Sequence, residues 1–173
     1  MNKFYVKAVT LFELIVCILI ISICATIALP HFQDMLARQE SQKIRQTLMQ
    51  SFQYAKTQAN LFRSRMVICA SSSGSTCNNN QWSDGFIIFN DQNENNQVDS
   101  DEQIHTYQNL GLKYGTLAWR GALSRSNVFF NAQQGLPNGS NGSFYYCSIR
   151  SQPHQRVILS NMGQARVETV SEC

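Results

Sequence analysis

Glu13 is the residue whose chemistry is hardest to explain as packing. It is the single charge in the run from Val9 to Leu29, about 21 residues, enough at ~1.5 Å rise per residue to reach across the hydrocarbon core of a bilayer. An acid at that depth costs roughly 2.5–3.5 kcal/mol on insertion scales and therefore needs a cation beside it. None stands within the run. Removal of the basic leader Met1 to Ala8 would supply one, an α-ammonium on Val9, one helical turn before Glu13 and open to the same chain or to a neighbour. Treated only as an acid near a helix N-terminus, Glu13 gains about 0.3–1 kcal/mol from the macrodipole, too little to account for a charge inside a span.

A second group of oxygen-bearing side chains lies between residues 91 and 102. Asp91, Asn93, Asn95, Asp99 and Glu102 occupy the first, third, fifth, ninth and twelfth places of an EF-hand-like calcium loop, with apolar Val98 at the eighth. Asn96 stands where Gly is usual, and Asn tolerates the left-handed turn required there. The flank opposes the motif, because Phe86 to Phe89 reads as a strand and not as an entering helix. A Ca²⁺ site and a polar hairpin loop held by Asx turns are both compatible with the pattern.

The six cysteines fall into two kinds. Cys17 and Cys24 share one face of the apolar run, where a thiol packs as a small hydrophobe. Cys69, Cys77, Cys147 and Cys173 belong to the part beyond it, and an even number in an exported, oxidising setting favours disulfides. Three pairings are possible. The favoured one joins Cys69 to Cys77 across a Ser/Gly/Asn-rich loop and Cys147 to Cys173, which otherwise frays. Zinc is the rival, but no Cys-x-x-Cys pair and no well-spaced His pair is present. His31, His105 and His154 form no ligand motif, and neither a phosphate loop nor a nucleophile signature occurs, so no catalysis and no cofactor other than calcium is expected. Asn138-Gly139-Ser140 and Asn141-Gly142-Ser143 read as flexible turns.

These groups need elements to position them. Pro30 should bend or break the helix that begins in the apolar run. The helical pattern then resumes as a stripe of Ile44, Leu48, Phe52, Ala55, Ala59 and Phe62, which Arg38, Lys43, Arg45, Lys56 and Arg63 avoid. Strands are expected at Gly85 to Phe89 and Val157 to Ser160, and more weakly at Lys113 to Ala118, Ser126 to Asn131 and Ser143 to Ile149. A last hairpin turns at Asn161-Met162-Gly163 and returns through Arg166 to Val170. The fold class is α+β, a long N-terminal helix packed on an antiparallel sheet. The organisation is a leader at 1–8, a transmembrane helix at 9–29, an amphipathic helical half at 30–66 and a β-rich domain at 67–173. A formal net charge of +3 falls to about +1 once Lys3 and Lys7 leave, so bulk charge selects no partner. Those two lysines still hold that end in the cytoplasm.

The stretch Lys7-Ala8-Val9-Thr10-Leu11-Phe12-Glu13-Leu14 resembles the N-terminal signal of type IV pilins and pseudopilins. Ala8 stands where that family usually has Gly and Val9 where it usually has Phe, while Thr10, Leu11, Glu13 and Leu14 match. The resemblance implies that a prepilin peptidase cuts between Ala8 and Val9 and N-methylates Val9, leaving the apolar helix in place. An ordinary secretory signal would be removed together with its apolar region. It further implies that Pro30 marks a kink, and that Glu13 pairs with the Val9 ammonium of an adjacent subunit during assembly. With Trp82 to Phe89, the Asp/Asn-rich loop and the Gly-containing hairpin, the chain is similar to the GspH/FimT branch, whose members are structural subunits. That branch implies a single-pass inner-membrane protein with a periplasmic head. Its partners would be major and minor pilins or pseudopilins and an inner-membrane assembly platform. The role would be a minor pilin priming or capping a type IV pilus, for twitching motility and DNA uptake, or alternatively a minor pseudopilin of type II secretion. DNA receptors in this branch carry Gly-Arg-x-Arg on the last hairpin; the matching residues here are Gly163-Gln164-Ala165-Arg166. Arg156 and Arg166 are the candidate DNA contacts. The bland reading makes them solvated surface charges.

Overall fold

The computed structural model describes residues 10–150 and 152–173. They divide into two compact units that part between Leu36 and Ala37. Helix α1 (Leu11–Phe62) contributes to both. From Leu14 to Leu29 its side chains are apolar on every face apart from Ser22 and Thr26, and Leu19, Ile21 and Ile27 are exposed, as are Leu11 and Phe12 beside Glu13. A helix of that kind has no aqueous face and belongs in hydrocarbon. Among the described helices it is the one long and apolar enough to cross a membrane. Its few hydroxyls are turned back on the backbone, Ser22 donating to the Ile18 carbonyl at 2.7 Å and Thr26 to that of Ile23 at 2.8 Å. Pro30 lies inside α1 and not between two helices, so no break occurs there. A proline removes one backbone donor, a loss that a helix this long absorbs.

From Ala37 onward α1 becomes one-sided, with Ala37, Ser41, Ile44, Leu48, Phe52, Ala55 and Ala59 buried. Eight strands follow: β1 (Met66–Ala70), β2 (Gly85–Asn90), β3 (Ile104–Asn109), β4 (Gly115–Gly121), β5 (Val128–Phe130), β6 (Gly142–Ser148), β7 (His154–Leu159) and β8 (Ala165–Val170). They form two four-stranded sheets, ordered β3-β2-β1-β5 and β4-β6-β7-β8, in which every pairing is antiparallel. The expected sheet is thus two sheets on one helix. Ile44, Leu48, Phe52, Ala55 and Ala59 join one continuous core with Met66, Ile68, Phe86 and Ile88 of the first sheet and Leu117, Phe144, Val157 and Leu159 of the second. Where the sheets meet, Phe144 packs edge-on to Trp82 at 4.7 Å and lies 4.6 Å from Trp119, with Phe52 at 6.0 Å.

The β1 and β2 strands are buried on both faces, which is why β2 reads as an unbroken apolar run. Their outer face carries Val67, Cys69, Ile87 and Phe89, covered by Cys77, Val98, Ile104 and Phe129. The strands expected from sequence are present, while β1 and β3 were not anticipated. The five residues of β1 follow α1 too closely to separate from its apolar pattern, and β3 mixes polar with apolar residues. The helix stops at Phe62, short of the expected boundary at 66, because Arg63 turns left-handed at φ +52° and Met66 already starts β1. Phe62 leaves the stripe and is exposed, its ring 5.9 Å from His105. Gly135, at φ +59°, lets the β5–β6 connection sit on the helix, since a Cβ there would lie 2.8 Å from the Lys56 carbonyl oxygen.

Phe144 of β6 therefore joins the second sheet to Trp82, whose ring in turn lies 6.3 Å from Phe86 of β2. In fragment 31–173 with disulfides intact, Phe144→Ala should lower unfolding stability by about 3–5 kcal/mol in a urea titration. A loss below about 1 kcal/mol would place the joint elsewhere.

Candidate functional site

Glu13 occupies the first turn of α1, exposed, its N–H donated to the Thr10 hydroxyl at 3.3 Å. Thr10 acts there as an N-cap, satisfying a backbone donor that the first turn leaves open. Ala8 and Val9 lie outside the described residues. Cys17 and Cys24 are free and exposed along the apolar segment.

The loop from Asp91 to Glu102 is organised around its own carboxylates. Asp91, 1% exposed, accepts the N–H groups of Asn95 and Asn96, both at 3.1 Å. Glu102 accepts those of Gln92 at 2.8 Å and Asp99 at 3.2 Å. Asp99 accepts the side-chain amides of Asn93 and Asn95, each at 2.7 Å. The cation is Arg65, whose guanidinium lies 3.5 Å from Asp91 and 3.4 Å from Glu94, bonds Asn96, and stacks 4.0 Å from the Phe129 ring centre. Asn96 turns left-handed at φ +63°, as its place in the loop requires. Among the described residues no group of three or more His, Cys, Asp or Glu side chains is spaced to hold a metal. Burial pushes the Asp91 carboxyl above its ordinary pKa, with Arg65 and the loop N–H groups pulling the other way. Arg65 was missed from sequence, although the lack of any cation between Asp84 and Glu102 implies that one must come from elsewhere.

Two disulfides pin the strands, Cys69 to Cys77 at the end of β1 and Cys147 of β6 to Cys173 beyond β8. A further anchor, Glu40 on α1, carries no sequence signal. Its carboxylate accepts the N–H groups of Lys113 at 2.8 Å and Tyr114 at 3.0 Å and the Tyr146 hydroxyl at 2.8 Å, fixing the entry to β4. Burial, then the Glu40 carboxylate, raises the pKa of the Tyr146 phenol.

The second sheet turns a cationic face outward. Arg120 of β4 stacks 4.3 Å from the Tyr145 ring centre, and Arg156 of β7 reaches the same ring at 5.3 Å while donating to the Ser143 hydroxyl at 3.0 Å. Arg166 of β8, opposite Ile158, is mostly exposed and pairs with Glu168 at 3.2 Å. Of these, Tyr145 was not anticipated from sequence.

Residues 45–163 match the sequence profile of the family described as Type II transport protein GspH. The chain belongs to that family. In structure it is similar to the type IV minor pilin FimU of Pseudomonas aeruginosa PAO1, with a TM-score of 0.50 and 19% identity over 79% of this chain and 96% of that one. A second crystal form of FimU gives a TM-score of 0.48 and 19% identity, over 76% and 98% of the two chains. At that identity the likeness is one of fold. Comparison with curated proteins gave no match. A GspH-family chain is a minor pilin or pseudopilin, a structural subunit and not an enzyme. The apolar helix fits a membrane-anchored subunit of a pilus or pseudopilus.

The direction of the Asp91 shift sets a pH dependence. An acid with a raised folded pKa holds its proton more tightly in the folded state, so its contribution is fully present below the unfolded pKa and is lost as pH rises through the folded value. Urea titrations of fragment 31–173 across that interval should show a decline in stability, and Asp91→Asn should flatten it. An unchanged slope in the variant would assign the decline to another group.

Proposed function

We propose that this chain is a minor pilin built into a type IV pilus. The supporting observation is Glu13, the one charge in an apolar helical segment that buries nothing within its own chain. Prepilin peptidase cuts between Ala8 and Val9 and methylates the new terminus. The subunit then rests in the inner membrane with its head in the periplasm. On leaving the bilayer for the filament, the Glu13 carboxylate pairs with the Val9 ammonium of an adjacent subunit, which compensates a charge that hydrocarbon does not. That contact sets the register between subunits. The head adds a surface for neighbouring pilins near the initiating or distal end.

The family description names a type II transport protein, which supports a second reading, the chain as a minor pseudopilin of type II secretion. Deletion of the gene separates them: loss of twitching with secretion intact supports the pilus, and the reverse supports the pseudopilus. In sheared filaments, mass spectrometry should find a chain beginning at methylated Val9, and Glu13→Ala should reduce its content at least tenfold while membrane insertion persists. Equal content of wild type and variant would refute the role of Glu13.

DNA contact is a further reading, supported by Arg120 and Arg156 at the Tyr145 ring, with Arg166 on the neighbouring strand β8. Arginines supply phosphate contacts and the tyrosine a stacking surface. Fragment 31–173 should retard duplex DNA at low salt, and Arg156→Ala with Arg166→Ala should abolish the retardation. Retardation that survives both changes would remove this face from consideration.

A further inference from the structure

A built feature that assembly does not use is a polar cavity of about 550 Å³ on the outer side of the first sheet. It lies where the Cys69–Cys77 loop, the loop after β2 and the segment before β5 converge. Its volume falls within the range of small-ligand sites, roughly 300–1,000 Å³. Six amide side chains line it, Asn78, Asn79, Asn95, Asn96, Gln97 and Asn127, and Arg125 is the one charged lining residue.

Each wall is held in place. The first is closed by the disulfide, and the second is tied by Arg65 to Asp91 and Asn96. The third is fixed by the Arg125 carbonyl, which accepts the Trp119 indole N–H at 3.0 Å. Backbone strain gathers at the same place. Of the non-glycine residues with positive φ among those described, Asn96 and Ser124 line the cavity and Glu94 and Leu123 adjoin them in the same two segments. Strain of this kind collects at ligand sites, where the surrounding structure holds the backbone for binding.

We propose that this cavity binds a short saccharide. A carboxamide donates and accepts at one group, as a sugar hydroxyl does, so a wall of amides is complementary to a polyhydroxylated neutral ligand. A polyanion would want more than one cation. An added β-strand would want free main-chain groups on β1 past its pairing with β5, and there the Ala70 carbonyl already accepts the Asn78 N–H at 2.7 Å. Asn93, Asn95 and Asn96 spend side-chain groups on the loop's own hydrogen bonds, whereas the side chains of Asn79, Gln97 and Asn127 make none among the described residues. Those three are the ligand-facing set.

The test is a glycan array of defined neutral-hexose, N-acetylhexosamine and uronic-acid oligosaccharides, probed with the full chain in detergent, followed by calorimetric titration of any glycan retained. At least one glycan should be retained, and Gln97→Ala and Asn127→Ala should each weaken its binding tenfold or more with both disulfides still formed. In the wild-type chain the same glycan should shift the side-chain amide NMR signals of Asn79, Gln97 and Asn127 but not those of Gln42 and Gln46 on α1. Failure of the wild-type chain to retain any glycan overturns the assignment. So does binding that both variants keep, or a shift pattern that bypasses the three amides. Filament incorporation is measured separately, so a negative result here leaves the pilin reading standing.

Discussion

The head depends on one helical stripe being covered by two sheets that share no strand ladder. Ile44, Leu48, Phe52, Ala55 and Ala59 share one buried core with residues of both. Each large apolar side chain removed from water contributes about 1.5–3 kcal/mol, so the stripe is the main source of attraction between elements distant in sequence. Trp82, Trp119, Phe52 and Phe144 then fill the seam that the sheets leave. Without the helix each sheet would expose its inner face.

Polar contacts supply the specificity that apolar burial lacks. Glu40 reaches from α1 to two backbone donors ahead of β4 and to Tyr146 of β6, which fixes how the second sheet enters. Arg65 does the same at the opposite sheet, drawing a loop of carboxylates and amides against β1 and Phe129. A buried charge is tolerated only with partners of this quality, because the desolvation of an unpaired ion costs several kcal/mol. The loop consequently covers the outer face of β1 and β2 through Val98, and the disulfide loop covers it through Cys77. A rigid polar rim is the result, and the amide-lined cavity lies along it.

The two units obey different solvents. From Leu11 to the region of Leu29 apolar side chains stay exposed, and hydroxyls are folded back on the helix carbonyls. Such a surface is stable only in lipid or against other helices like itself. In the assembly proposed above the helix meets both situations in turn, and pairing of its single acid with an adjacent subunit would make the second environment preferable to the first.

The N-terminal helix, its lone acid and the amphipathic stripe were legible in the sequence because they are local: composition and a 3.6-residue period depend on neighbours along the chain. The strands with strong β-character were legible for the same reason, as was the parity of cysteines beyond the span. What depends on approach between distant residues was not. The division into two sheets rests on which strand edges meet. The seam at Phe144, the anchoring of β4 by Glu40 and the burial of Asp91 against Arg65 each join residues far apart in the sequence. Tertiary structure also decided that Arg120 and Arg156 share one tyrosine ring and that three loops enclose a cavity. Sequence by itself determined which segments must be buried and in what medium; only the packed chain decided which of them touch, since contact is set by the closure of long loops around a common core and not by local preference.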